Sequence, residues 1–100
     1  MGNLFNDSTR ELFLAILSLE TEQECESFFS DLCTVKEIKE VSQMFEVARL
    51  LSNGLIYSDI AEKTGASTAT ISRVNRSLNY GNDGYDMVFE RVSVDDDSES

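Results

Sequence analysis

One hundred residues, 41% of them apolar, with five glycines and no proline, are enough for one helical domain with a thin core. The chain has no histidine, and Cys25 and Cys33 lack a closing pair, so neither an enzyme, a zinc site nor any cofactor is expected. The formal charge of −11 argues against a nucleic-acid partner as a sum, but residues 63–82 carry Lys63, Arg73 and Arg76 and no acid at all.

Residues 1–7 are polar around Leu4 and Phe5 and read as an N-terminal arm. Three capping boxes follow, Ser8 to Glu11, Thr21 to Glu24 and Thr34 to Glu37. In each, the hydroxyl is placed to accept the third helical N–H while the Glu reaches back to the cap's own N–H. They predict helices over 9–19, 22–33 and 35–42. In the first of these, Leu12, Phe13, Leu14, Ala15, Ile16 and Leu17 are consecutive and cover every side of the helix. Phe28, Phe29, Leu32, Val41, Phe45, Val47, Leu50 and Leu51 add to an apolar surplus that one small core does not need. A homodimer with the first helix packed between subunits is therefore expected. Cys25 and Cys33 lie eight residues apart, about 12 Å along a helix, too far for a disulfide with each other. They are expected as reduced core thiols. A fourth helix is predicted from 43 or 44 to 52, stopped by Asn53-Gly54.

The stretch 58–78, SDIAEKTGASTATISRVNRSL, predicts a helix-turn-helix. Ala61 is small where a second helix crosses close. Gly65 stands where the turn needs a positive φ. Ile71 and Val74 lie one turn apart and face the first helix. Ser58 and Ser67 are each placed to cap a helix N-terminus. Residues 79–85 have turn chemistry, a last helix is predicted over about 84–92, and 94–100 read as a disordered acidic tail. The longest apolar run, Leu12 to Leu17, is too short to cross a bilayer, and a cytoplasmic protein with no membrane partner is expected.

The segments FFSDLCTVKEI (28–38), FEVARLL (45–51), IAEKTGASTATISRV (60–74) and LNYGNDGY (78–85) carry a family resemblance. The chain resembles the Trp repressor superfamily, most nearly its YerC/YecD-type Trp-repressor-like members, over roughly residues 8–92. The resemblance implies an all-α fold of about six helices, forming an intertwined homodimer with one helix-turn-helix reading head per subunit. The domain would run over 8–93. In the tryptophan-sensing repressor two arginines and a small glycine surround the ligand. Arg73 matches one arginine, but Gln43 stands at the other and Val74 at the glycine. One lost charge-assisted bond and one intruding side chain make tryptophan an unexpected corepressor here. An unknown effector would instead sit near Gln43, Arg73, Val74 and Ser77.

On that docking geometry the first turn of the second helix, Thr68, Ala69 and Thr70, enters the major groove of double-stranded DNA. Ser67 at the helix N-terminus suits a phosphate. Arg73 reaches a guanine or a phosphate, and Arg76 and Lys63 suit phosphates. Tyr57, Tyr80 and Tyr85 flank the head, and of their two roles, hydrogen-bonding a phosphate or packing against the body, packing is the one expected. The reading is a sequence-specific transcriptional regulator, a repressor acting as a homodimer. The rivals are a dimeric helical protein-interaction module, which the net charge favours, and a regulator gated by an unknown small molecule.

Overall fold

The structure is a computed structural model that describes residues 6–92. The tail expected over 94–100 and all but the last two residues of the expected arm lie outside them. Six helices and no strand occupy the described residues: α1 (Asp7–Leu17), α2 (Glu22–Leu32), α3 (Val35–Ser52), α4 (Tyr57–Thr64), α5 (Thr68–Tyr80) and α6 (Gly84–Arg91). They fall into two compact units, residues 1–38 and 39–100.

In the first unit the helix starts follow side-chain caps. Asn6 caps α1, its Oδ1 accepting from Thr9 N at 3.0 Å, so the helix begins at Asp7 and Ser8 is already inside it. Asn and Ser cap about equally well, and the earlier residue gains an extra bond from the Thr9 hydroxyl. Thr21 caps α2 by accepting from Glu24 N, while the Glu24 carboxylate takes Glu20 N at 2.8 Å, one residue short of the expected reciprocal bond. Thr34 and Glu37 form the full reciprocal box, with bonds of 3.0 and 2.9 Å. Neither α1 nor α2 buries a residue in the single chain. Cys25 is exposed and Cys33 is half-buried beyond the end of α2, so the expected pair of core thiols is not formed.

The two helices expected over 35–42 and 43–52 are one. No Gly or Pro interrupts the stretch, and Ile38, Phe45, Ala48 and Leu51 continue one stripe across the expected break. Gly54, at φ 90, then ends the element as expected.

The core lies in the second unit. Val47, Ala48 and Leu50 of α3 meet Ile60 of α4, Ala66 of the turn, and Ile71 and Val74 of α5. Met44, Leu55, Tyr57, Ala61 and Leu78 close around them. An aromatic trio joins α6 to α3: the Phe45 and Phe89 rings lie 5.3 Å apart, and Tyr85 stacks on Phe89 at 6.0 Å. Tyr57 and Tyr85 thus pack as expected, while Tyr80 is 86% exposed. No helix among the described residues is long and apolar enough to cross a membrane.

Candidate nucleic-acid interface

The α4–turn–α5 hairpin is held by bonds that begin and end on single residues. Helix α4 starts at Tyr57, because Ile60 N bonds to Ile56 O at 3.1 Å and no side chain caps it. Ser58 is therefore a first-turn residue and not the cap the sequence suggested. Tyr57 packs against the core and fixes that helix start in the place of a cap. At the far end Gly65 adopts φ 76, and its N–H returns to Ala61 O at 2.8 Å. The Thr64 hydroxyl donates to Ile60 O at 2.8 Å and accepts from Ala66 N at 3.1 Å. The Thr64 carbonyl, otherwise an unpaired helix-end acceptor, takes Gln43 Nε2 at 3.1 Å. The turn is thereby tied to α3.

Ser67 opens α5 in the predicted role, accepting from Thr70 N at 3.1 Å with extended backbone. Residues of α5 advance about 100° each. Ile71, Val74 and Leu78 therefore face the core, and Ala69, Arg73, Arg76 and Tyr80 share the opposite face. Thr68, Ala69, Arg73 and Arg76 are exposed, as are Ser67 before them and Lys63 in the last turn of α4; Thr70 is half-buried. The predicted contact residues are thus on one accessible hairpin, with Ser67 to Thr70 at the positive end of the α5 dipole. Arg73 differs in one respect: its Nη2 lies 2.8 Å from the Met44 sulfur, which bends the guanidinium back toward α3.

Three of the four residues expected around an effector have other contacts in the single chain. Val74 is 3% exposed and belongs to the core, Gln43 is committed to Thr64, and Arg73 lies on Met44. A groove of about 520 Å³ nearby shares only Ser77 with that set. It is lined by Ser77 and Gly81 at the end of α5, by Phe45, and by Tyr85, Met87 and Val88 of α6. Sequence reasoning missed this groove because its walls come from three separated segments, each of which reads as ordinary core. It also placed Tyr80 against the body. The signal that would have found Tyr80 is its 100° step, which sets it one turn beyond Arg76 on the outward face.

The Trp repressor protein family model matches residues 7–93. The chain belongs to the Trp repressor family. It is 57% identical over 82 residues to the uncharacterized protein YerC of Bacillus subtilis (strain 168), spanning 82% of this chain and 79% of that one. A TrpR-like protein from Eubacterium eligens ATCC 27750 superposes with a TM-score of 0.84 at 64% identity, over 86% of this chain and 89% of its own. A candidate Trp repressor from Staphylococcus aureus superposes with a TM-score of 0.87 at 50% identity, over 92% of each chain. The all-helical fold and the family expected from the sequence are thus found. The family is one of DNA-binding regulators rather than of enzymes.

Proposed function

We propose that the chain is a sequence-specific transcriptional repressor that binds double-stranded DNA as a homodimer and does not respond to tryptophan. The observation that carries the reading is the outward face of the hairpin. Ser67, Thr68 and Ala69 are exposed at a capped helix N-terminus, flanked by exposed Lys63, Arg73 and Arg76 and by no acid from 63 to 82. Small side chains at the helix tip let it approach base edges, and the backbone N–H groups of the turn that Ser67 opens suit a phosphate. Thr70 supplies a hydroxyl for base contact, directly or through water. The DNA-binding domain is read as 8–93, which the family match over 7–93 supports.

Homodimerisation is supported by apolar surface that one chain leaves uncovered. Leu14, Leu17, Leu32, Val35 and Val41 are between 49% and 78% exposed. Indifference to tryptophan is supported by Val74, whose side chain fills the core where the tryptophan-sensing relatives carry glycine, and by Gln43, already spent on Thr64. A second reading, gating by another small molecule, is favoured by the groove at Ser77 and Gly81, because an occupant there would touch the end of the reading helix.

Selection from a random duplex library tests the reading, with the Arg73→Ala/Arg76→Ala double variant as control. The expected result is an enriched near-palindrome, its half-sites about one helical turn apart, that the control loses. Absence of enrichment and of any salt-dependent binding, with and without a metabolite extract, would favour the protein-interaction module.

A further inference from the structure

We infer that Tyr80 is a DNA-backbone contact, its phenol donating a hydrogen bond to a phosphate one helical turn beyond the one held by Arg76. The inference rests on the DNA reading above. Three observations lead to it. Tyr80 is 86% exposed, the most exposed of the large apolar and aromatic side chains among the described residues. Tyrosines more often bury the ring and leave the hydroxyl wet. It stands four residues after Arg76, seven after Arg73 and eleven after Ala69, so all four project from one face of α5. The distance from Ala69 to Tyr80 along the axis is about 16 Å, more than the width of the major groove, about 12 Å. A helix whose first turn reaches bases therefore carries its last turn out to the level of the phosphates.

The position is also built. Tyr80 is the last residue of α5, and Gly81 stops the helix with its N–H on Ser77 O at 2.9 Å. A Cβ at Gly81 would run into that same Ser77 carbonyl, so the stop is fixed to this residue. Helical side chains lean toward the N-terminus, which tilts the phenol toward the turn of Arg76 and away from the negative helix end. A neutral donor suits that location. A carboxylate would repel the phosphate, and 63–82 contains none. Tyrosine also loses little conformational freedom when it is fixed, because only two side-chain torsions are ordered.

The test compares wild type, Tyr80→Phe and Tyr80→Ala on the selected duplex and on an unrelated duplex, with hydrodynamic mass measured in parallel. Tyr80→Phe is expected to weaken binding to both duplexes by about a hundredfold, about tenfold for the hydrogen bond to a charged acceptor lost in each of the two subunits. The slope of affinity against salt should stay unchanged, because no cation is removed. Arg76→Ala, which removes one cation from each subunit of the dimer, should lower that slope by about two. Wild-type binding with an unaltered Tyr80→Phe affinity overturns the inference and leaves the DNA reading standing. So does a Tyr80→Ala variant whose dimer falls apart, which would assign the ring to a protein interface. Failure of the wild type to bind any duplex overturns both.

Discussion

Thr70 is held from two sides. Its backbone N–H goes to Ser67 Oγ and its own Oγ1 takes the Ser67 hydroxyl, both at 3.1 Å. With the Ser67 oxygen accepting and its hydrogen donated, the Thr70 hydroxyl keeps its own hydrogen for an outside acceptor. In the major groove that selects N7 or O6 of guanine, N7 of adenine or O4 of thymine. Thr70→Ala should therefore relax discrimination at one operator position by about 1 kcal/mol, roughly fivefold, with little change on unrelated DNA. Arg76→Ala should instead weaken every duplex alike. Affinities measured on operator variants separate the two. If both substitutions lowered all affinities equally, Thr70 would have no role in sequence choice.

Between α4 and α5 the chain depends on the left-handed backbone of Gly65. Nothing lies within 4 Å of where its Cβ would stand, so a side chain there would meet no steric obstacle but would still have to hold φ 76. Gly65→Ala should cost about 1 kcal/mol, and Gly65→Asn less, since Asn tolerates that region. Denaturant midpoints ordered Gly, Asn, Ala would bear this out, and three equal midpoints would show that the turn rearranges. The hairpin was legible in the sequence for the same reason it is sensitive. At Gly65, Ser67, Ile71 and Val74 a single residue's chemistry decides the local structure. The reciprocal box at Thr34 was legible in the same way. The unbroken α3 was less legible, because a cap marks a helix start by one residue, whereas continuation over 42–44 shows only as a stripe spread from Ile38 to Leu51. So was the start of α1, where Asn6 and Ser8 are equivalent caps and only the added Thr9 hydroxyl bond separates them. Tyr80 was expected against the body because tyrosines usually pack their rings, although its helical step from Arg76 already set it on the outward face.

At the scale of the whole molecule two surfaces of opposite character must coexist. Leu14 and Leu17 are 54% and 78% exposed in the single chain, so a charge at either should scarcely disturb its fold. Leu14→Glu with Leu17→Glu should nevertheless halve the sedimenting mass and abolish operator binding, because one head alone has too few phosphate contacts. An unchanged mass would remove α1 from the dimer interface. The heads themselves present Lys63, Arg73 and Arg76, three cations per subunit, on a chain of net charge −11. Six contacts in a dimer predict a slope of about −5 for log affinity against log salt. The acidic body adds a second dependence of opposite sign. At 0.15 M salt the screening length is about 8 Å, so contacts at the hairpin persist while more distant acids are hidden. At 0.01 M it is about 30 Å, and exposed acids of the hairpin's own unit, such as Glu46, Glu62, Asp86 and Glu90, then repel the duplex. The affinity should therefore rise steeply as salt falls to about 0.1 M and flatten below that. Neutralising those four acids to their amides should restore a straight line without changing the slope at high salt. Fluorescence anisotropy over that range decides the matter. A wild-type plot that stays linear to the lowest salt would mean that the body's charge never reaches the DNA, and that the acid-free stretch from 63 to 82 is insulated by geometry rather than by screening.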